Sequence, residues 1–387
     1  MPPTSPGPRE ALIVLNLIPG LGPIRIRALL DCFGSPELAL HARRNFLERV
    51  PGIGAKVADA VASWRECTAL GDELDLAERL GVRIVTLLDD GYPSFLRQMY
   101  DPPAVLYARG EWRESDGERS VAIIGSRQTS AYGMTTARRF GRELASHGCT
   151  IVSGLAHGID TAGHWGALDA GGRTLAVLGS GLNRLFPEEN RELADRISSG
   201  SGAVVSEFPL NFRPSKTSFP RRNRIVAGWS HATLVVEAPA HSGALHTAHL
   251  TLEMNRTVFA VPGRADSLHS RGCHDLIREG AILASCPADV LGDMRWDHPA
   301  QPVQRELEWQ HAESRLDAAA PSSHLSDPTD RLILDCVHAG NDTLDLLCPA
   351  TGMSAAELTP RLTRLQIARL LQSLPGGRFE ALLPPEH

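Results

Sequence analysis

Between Phe208 and Val236 the chain gathers Arg213, Lys216, Arg221, Arg222 and Arg224 without a single carboxylate, in a molecule whose formal net charge is -6. Within that stretch, Pro220 suits the first position of a helix, which places Arg221, Arg222 and Arg224 in the first turn. The positive end of the helix macrodipole prefers carboxylates there, so three cations are stable mainly with an anion laid against them. Lys216 and Phe219, just upstream, add a charge and an aromatic ring. That combination grips a phosphate backbone and stacks a base of single-stranded nucleic acid. The plainer alternatives are a solvated arginine cluster and a Phe219 buried as a hydrophobic staple. The placement of these residues favours a polynucleotide over a mononucleotide.

A second constellation is Gly125, Ser126 and Arg127, ahead of a helix that begins near Tyr132. Small residues expose backbone donors, and an arginine fork can hold a phosphate bidentately. A dinucleotide site needs G-x-G-x-x-G after the first strand and an acid at the tip of the second. Here the first strand ends "GSRQTSAYG", the second ends Ser153-Gly154, and "GSGLNR" puts Arg184 where a third glycine belongs, so no nicotinamide cofactor is expected. His157, Asp160 and His164, and separately His246 and His249, recur at helical spacing but lack an H-E-x-x-H pattern, so hydrogen bonding or packing is expected rather than metal. No nucleophile signature appears, and Ser153 reads as a turn residue. These residues offer a binding surface and no visible reaction centre, so the chain is not expected to be an enzyme.

The elements that carry these residues follow from apolar patterning. "SVAIIGSR", "CTIVSGLAHG", "RTLAVLGSG", "GAVVSEF", "ATLVVEA" and "RTVFAVPG" are Val-, Ile- and Leu-rich runs without polar alternation, separated by helical stretches. This is the pattern of a parallel sheet buried on both faces. It predicts an α/β domain with a Rossmann-like doubly wound parallel sheet over 119–292, with ligands at the C-terminal ends of its strands. Residues 1–85 read as a helical, SAM-like domain in which "LIPGLGPIRIRALL" and "RVPGIGAKVADAVASW" repeat a helix-hairpin-helix pattern. Glycine turns of this kind present backbone N–H groups to phosphate or let two helices pack closely. Residues 86–118 read as a connecting segment and 293–328 as a linker. Residues 329–387 read as a winged-helix domain, with a capping box at Ser354–Leu358, a hairpin turning at Pro375-Gly376-Gly377, and Pro360 as an awkward fit inside its third helix.

Composition bounds the class. At 387 residues and 42% hydrophobic the chain can bury a large core in two or three domains. Seven cysteines without C-x-x-C spacing argue against disulfides and structural zinc. No apolar run is long enough for a membrane span and no signal peptide is evident, so a cytoplasmic location is expected. Nearly all 39 basic residues are arginine, only Lys56 and Lys216 being lysine. Placement of the arginines therefore carries more meaning than their number.

Taken together, "VAIIGSRQTSAYG", "IVSGLAHGIDTAGHWGAL", "GSGLNRLFPEENREL", "FPRRNRIVAGWSHATLVVEA", "SGALHTA" and "VFAVPG" closely resemble the bacterial DNA processing protein A (DprA/Smf) family. The resemblance implies a non-catalytic protein without cofactor that binds single-stranded DNA, forms a homodimer through its Rossmann-like domain, and loads the RecA recombinase on DNA entering in natural transformation. It places backbone contacts on Arg127 of the Gly125-Ser126-Arg127 loop and on Lys216, and base stacking on Phe219. Arg221, Arg222 and Arg224 form the basic turn. Ser242 with Gly243 is another strand-end contact, and Asn223 and Thr247 in the same motifs complete the candidate set. His157 stands where relatives often carry arginine, and Asn211-Phe212 where they carry Gly-Thr. The rival enzymatic reading is a nucleotide hydrolase of the lysine-decarboxylase-like phosphoribohydrolase type, whose P-G-G-x-G-T-x-x-E loop would correspond to "PAHSGALHTA", where the glutamate is absent. A third reading puts duplex DNA on Arg361, Arg364 and Arg378 of the winged helix.

Overall fold

The computed structural model describes residues 6–296, 328–367, 370–374 and 378–381. The chain divides into two compact units, 1–301 and 302–387. No helix among the described residues is long and apolar enough to cross a membrane.

The first unit is built on a nine-stranded sheet. Its strands are β1 Arg83–Thr86, β2 Val105–Gly110, β3 Ser120–Ile124, β4 Thr150–Ser153, β5 Thr174–Val177, β6 Gly202–Ser206, β7 Ala232–Val235, β8 Thr257–Ala260 and β9 Ile282–Leu283. They lie in the order β1-β2-β6-β5-β4-β3-β7-β8-β9. From β6 to β9 every pairing is parallel, whereas β2 is antiparallel to β6 and β1 to β2. All six strands expected from the apolar runs are present. Alternate residues of β3 face opposite layers, Ala122 and Ile124 packing with Val226 and Trp229, and Val121 and Ile123 with Phe140 and Leu144. The sheet is therefore covered by helices on both faces, which is why its strands read as unbroken apolar runs.

The chain winds from β3 to β4, β5 and β6 on one side, then crosses back to β7, β8 and β9 on the other. The reversal lies between β3 and β7, whose final residues Ile124 and Val235 are in register. Loops leaving such a pair diverge above and below the sheet and open a crevice.

Two elements differ from expectation. The segment read as a connector contains β2, and β1 straddles the boundary assigned to the helical domain. β1 is the edge strand of an antiparallel extension that β2 joins to β6, and Pro102-Pro103 ahead of β2 gave the segment the look of a linker. The helices Pro8–Leu17, Pro23–Phe33, Ala55–Ala62 and Leu70–Arg79 pack onto this extension. The two glycine turns form as expected, with Gly20 and Gly52 in the left-handed region at φ +82° and +78°. Fully buried Val105, Tyr107 and Leu210 share one core with the helices, and the Glu73 carboxylate accepts the Leu210 N–H at 2.7 Å.

In the second unit, Pro328–His338, Leu344–Thr351 and Ala355–Ile367 precede a hairpin of β10 Leu371–Leu374 and β11 Arg378–Ala381. The Glu357 carboxylate accepts from the Ser354 N–H at 2.9 Å and the Ser354 hydroxyl at 2.7 Å, closing the expected capping box. The third helix runs through Pro360. An interior proline costs about 3 kcal/mol, but Leu358, Leu362 and Leu365 are buried by the same helix at about 1.5–3 kcal/mol each. Burial therefore wins. Residues 297–327, within the expected linker, and the turn residues Pro375-Gly376-Gly377 lie outside the described residues.

Candidate nucleic-acid interface

A cleft of about 1190 Å³ opens at the β3/β7 switch point. Its walls come from the loops after β3, β4 and β7 and from the start of the helix Ser218–Trp229. Gly125, Ser126, Arg127, Lys216, Phe219, Arg222, Asn223, Ser242, Gly243 and Thr247 all line it. Arg221 and Arg224 do not.

The loop after β3 is shaped by what lies beneath it. A Cβ on Gly125 would sit 2.5 Å from Ile159 Cγ1 and 2.7 Å from the Glu237 carbonyl oxygen, so only glycine fits. Ser126 donates its N–H to that carbonyl at 2.7 Å, while its hydroxyl donates to the Gln128 carbonyl at 2.9 Å. The Ser126 side chain is thus spent inside the loop, and what it contributes to the cleft is backbone shape.

Glu237, at the end of β7, ties this loop to the sheet. Its carboxylate accepts from the Thr129 hydroxyl at 2.5 Å, the Ser130 N–H at 2.9 Å and the Ser130 hydroxyl at 2.6 Å. Burial pushes its pKa upward, but the hydrogen bonds from Ser130 and Thr129 outweigh that and hold it below the usual carboxylate value. Ser130 in turn caps the helix Ala131–Ser146 by accepting the Gly133 N–H at 3.1 Å. Arg127 projects from the fastened loop, exposed, with its guanidinium 4.7 Å from the centroid of the Phe219 ring.

Phe219 is half-buried. Its ring lies 5.8 Å from that of Phe186 and against Gly179, where a Cβ would approach Phe219 Cδ1 to 2.8 Å. It is neither a fully buried staple nor a free ring: Arg127 covers it on the cleft side. Lys216 is exposed and makes no hydrogen bond or ion pair among the described residues.

The basic turn departs from its sequence reading. The helix begins at Ser218, so Pro220 is its third residue and the arginines lie beyond the first turn. A proline in the first three positions forfeits no intrahelical bond, so it does not fix the start. Arg224 is buried and ion-paired with Glu207 and with Asp101 at 3.4 Å. Arg221 stands 3.8 Å from Glu207 and over the Phe208 ring at 4.7 Å. The anion that the three cations require is thus largely internal. Glu207 escaped the charge count because it stands one residue before the carboxylate-free stretch, and Asp101 is supplied by the distant edge segment.

Arg222, also buried, forms the cleft floor. It donates to the Val177 carbonyl at 2.6 Å and lies so close over Gly154 that a Cβ there would be 1.8 Å from Nη1. Burial lowers its pKa to about 10. Asp160, the one carboxylate among the lining residues, accepts N–H groups from Gly154 at 3.1 Å and Ala156 at 3.3 Å. Burial raises its pKa despite the nearby Arg222 charge. Asn223 is half-buried on the same wall. Across the cleft, Ser242 caps the helix Gly243–Glu253 by accepting the Ala244 N–H at 3.3 Å, Gly243 is exposed and Thr247 buried.

The histidines separate. His164 is fully buried, with Nδ1 2.6 Å from the Thr174 hydroxyl, and burial lowers its pKa to about 3. His157 and His249 face Glu189 and Glu279, each at 3.6 Å. Of these histidines His246 lines the cleft, as does His241. In the second unit Arg361 and Arg364 both pair with Asp330, at 3.0 and 2.5 Å, and Arg378 pairs with Asp342.

Sequence reasoning missed Gln128, Phe186, His241, Leu268 and Arg271 at the site, none of which belongs to a charge cluster. The terminal acid of "LVVEA" was a legible signal for Glu237, since a carboxylate ending a buried strand must find donors.

Known proteins match this chain in sequence and in fold. A family model described as DNA recombination-mediator protein A matches residues 83–295, and one described as the DprA winged helix domain matches 317–377. Protein Smf of Synechocystis is 34% identical over 384 residues, covering 94% of this chain and 96% of its own. DNA processing protein DprA of Bacillus subtilis is 39% identical over 214 residues, covering 55% of this chain and 72% of its own. The solved structure of DprA from Streptococcus pneumoniae matches with a TM-score of 0.64 at 32% identity, covering 74% of this chain and 97% of that one. The Helicobacter pylori protein, described for its single-stranded DNA binding mode, matches with a TM-score of 0.51 at 28% identity, covering 56% of this chain and 97% of that one.

Proposed function

Because the chain belongs to the DNA recombination-mediator protein A family, we propose that it binds single-stranded DNA in the switch-point cleft and passes it to the RecA recombinase during natural transformation and recombination. The observation that carries this reading is the cleft's charge balance. Several surface arginines elsewhere are held by carboxylates, as in Arg138 with Asp169, Arg264 with Asp266 and Arg278 with Asp275. In the cleft Arg127 and Lys216 have no such partner, and the one lining carboxylate is turned to backbone N–H groups. Unpaired cations beside an aromatic ring suit a phosphate backbone carrying bases.

In this reading Lys216 and Arg127 hold successive phosphates. A base takes the face of Phe219 that Arg127 covers in the free protein, so the arginine leaves the ring as it reaches the strand. Asn223, Ser242, Gly243 and Thr247 shape the path, and Arg222 supports the floor with its positive field. Arg221 and Arg224 act through Glu207 to fix the helix. Dimerisation through the central domain, hand-over to RecA, the absence of catalysis and a cytoplasmic setting belong to the same proposal and rest on family membership.

The test is fluorescence anisotropy of labelled oligo-dT and of its duplex with wild type and with Arg127→Ala/Lys216→Ala, folding being checked by circular dichroism. Preference for the single strand, lost in the folded variant, is the expected result. Undiminished binding by the variant would remove the cleft as the site. RecA filament assembly on oligo-dT, with and without the protein, tests the hand-over.

A further inference from the structure

The cleft has a second wall that the basic turn does not account for. Arg271, His241, His246 and Leu268 also line it, on the loop after β7, the helix Gly243–Glu253, the short 3-10 turn Leu268–Ser270 and the start of the helix Arg271–Arg278. Arg271, His241 and His246 are exposed and make no hydrogen bond or ion pair among the described residues, and Leu268 is 61% exposed. Arg271 opens its helix with no acidic residue in the first turn. That is an unfavourable place for a cation facing no anion. Neighbouring charges behave otherwise: Arg278 of the same helix pairs with Asp275, Arg264 with Asp266, and His249 with Glu279. Arg271, His241 and His246, which line the cleft, have no such partner among the described residues.

The two walls therefore offer the same chemistry. One has a cation over a phenyl ring, and the other has among its lining residues an exposed cation, two exposed imidazole rings and an exposed leucine. Resting on the single-strand reading of this cleft, we infer that Arg271 and His246 form a second set of contacts, so that one strand crosses the whole switch-point crevice. Arg271 takes a phosphate beyond the one held by Lys216, and the imidazole of His246 lies against a sugar or base. A duplex would place its second backbone away from one wall, so the occupant is a single strand.

The experiment is anisotropy with labelled oligo-dT of graded length, over a range of salt, for the full chain and for Arg271→Ala, Arg271→Ala/His246→Ala, Lys216→Ala and Arg264→Ala. Arg271→Ala should weaken binding of long oligomers roughly tenfold, as expected on losing a charge-assisted hydrogen bond. It should also lower the slope of log affinity against log salt by about 0.7, the contribution of one phosphate on a single strand. The shortest oligomers that bind should be less affected, because they do not reach the second wall. Arg264→Ala, whose charge is held by Asp266, should behave as wild type.

If Arg271→Ala and the double variant match wild type at every length while Lys216→Ala is impaired, the second wall is not a contact and the cleft reading survives without it. If Lys216→Ala is also unimpaired, the cleft reading itself fails. If Arg271→Ala loses duplex binding but not single-strand binding, the inferred occupant is wrong. Circular dichroism of each variant separates lost contacts from lost fold.

Discussion

At the scale of single residues, charge and ring contacts separate cleanly by their dependence on salt. Phe219→Ala should cost about 1–3 kcal/mol of oligo-dT affinity, the range for one stacked base, with an unchanged salt slope. Lys216→Ala should lower the slope by about 0.7, with a smaller effect at high salt. Paired titrations at two salt concentrations read both, and a Phe219→Ala loss that vanishes at high salt would reassign the ring to positioning Arg127. That Arg127, Lys216 and Phe219 line one cleft was legible in the sequence because each stands at a strand end or turn of the parallel sheet. Arg221 and Arg224 were misread. Their anion, Glu207, stands one residue outside the stretch that seemed to lack acids, and Asp101 comes from far along the chain. Removing Glu207 leaves Arg224 buried without its strongest partner, and breaking a buried pair in this way costs about 3–5 kcal/mol. Glu207→Ala should therefore lower the urea midpoint sharply, whereas Arg221→Ala, at an exposed site, should not.

At the scale of elements, the site depends on how loops are fastened to strands. Glu237 holds the loop after β3 through Thr129 and Ser130 and so sets where Arg127 stands. Its folded pKa lies below its ordinary value of 4.5. The stability it contributes is therefore complete above that value and lost as pH falls from 4.5 through the lower folded value. Glu237→Gln should lose about 1.5–3 kcal/mol at neutral pH, the worth of a hydrogen bond to a charged group, and this deficit should shrink towards the acid end. Denaturant unfolding from pH 7 to pH 3 checks the sign: a deficit that grows on acidification would contradict it. The six parallel strands were legible because burial on both faces leaves no polar alternation. β1 and β2 were not. An antiparallel edge pair looks like any short mixed segment, and its role appears only when β2 meets β6 across the chain.

At the scale of the whole molecule, the boundary suggested by sequence between helical and central domains does not coincide with a boundary in the core. The family model begins at residue 83, yet Val105, Tyr107 and Leu210 of the region it matches are buried against the N-terminal helices. Polar ties cross the same seam: Arg9 donates to the Ile84 carbonyl at 2.5 Å, Asn16 to the Glu207 carbonyl at 3.1 Å, and the Leu210 N–H to Glu73. Burying one such apolar side chain is worth about 1.5–3 kcal/mol. Exposing several approaches the 5–15 kcal/mol that holds a typical domain folded. A fragment of residues 83–301 should therefore be strongly destabilised or aggregate, although it contains every residue of the cleft. A fragment of residues 1–301 keeps that core intact and ends where the first compact unit ends. It should unfold cooperatively and bind oligo-dT within about threefold of the full chain, since the cleft proposed to take phosphates and a stacked base lies wholly inside it. Should the shorter fragment prove equally stable, the N-terminal helices would be an appendage rather than part of the scaffold that places Glu207, Arg224 and the basic helix. Should the longer fragment fold and fail to bind, the second unit would have to supply contacts of its own.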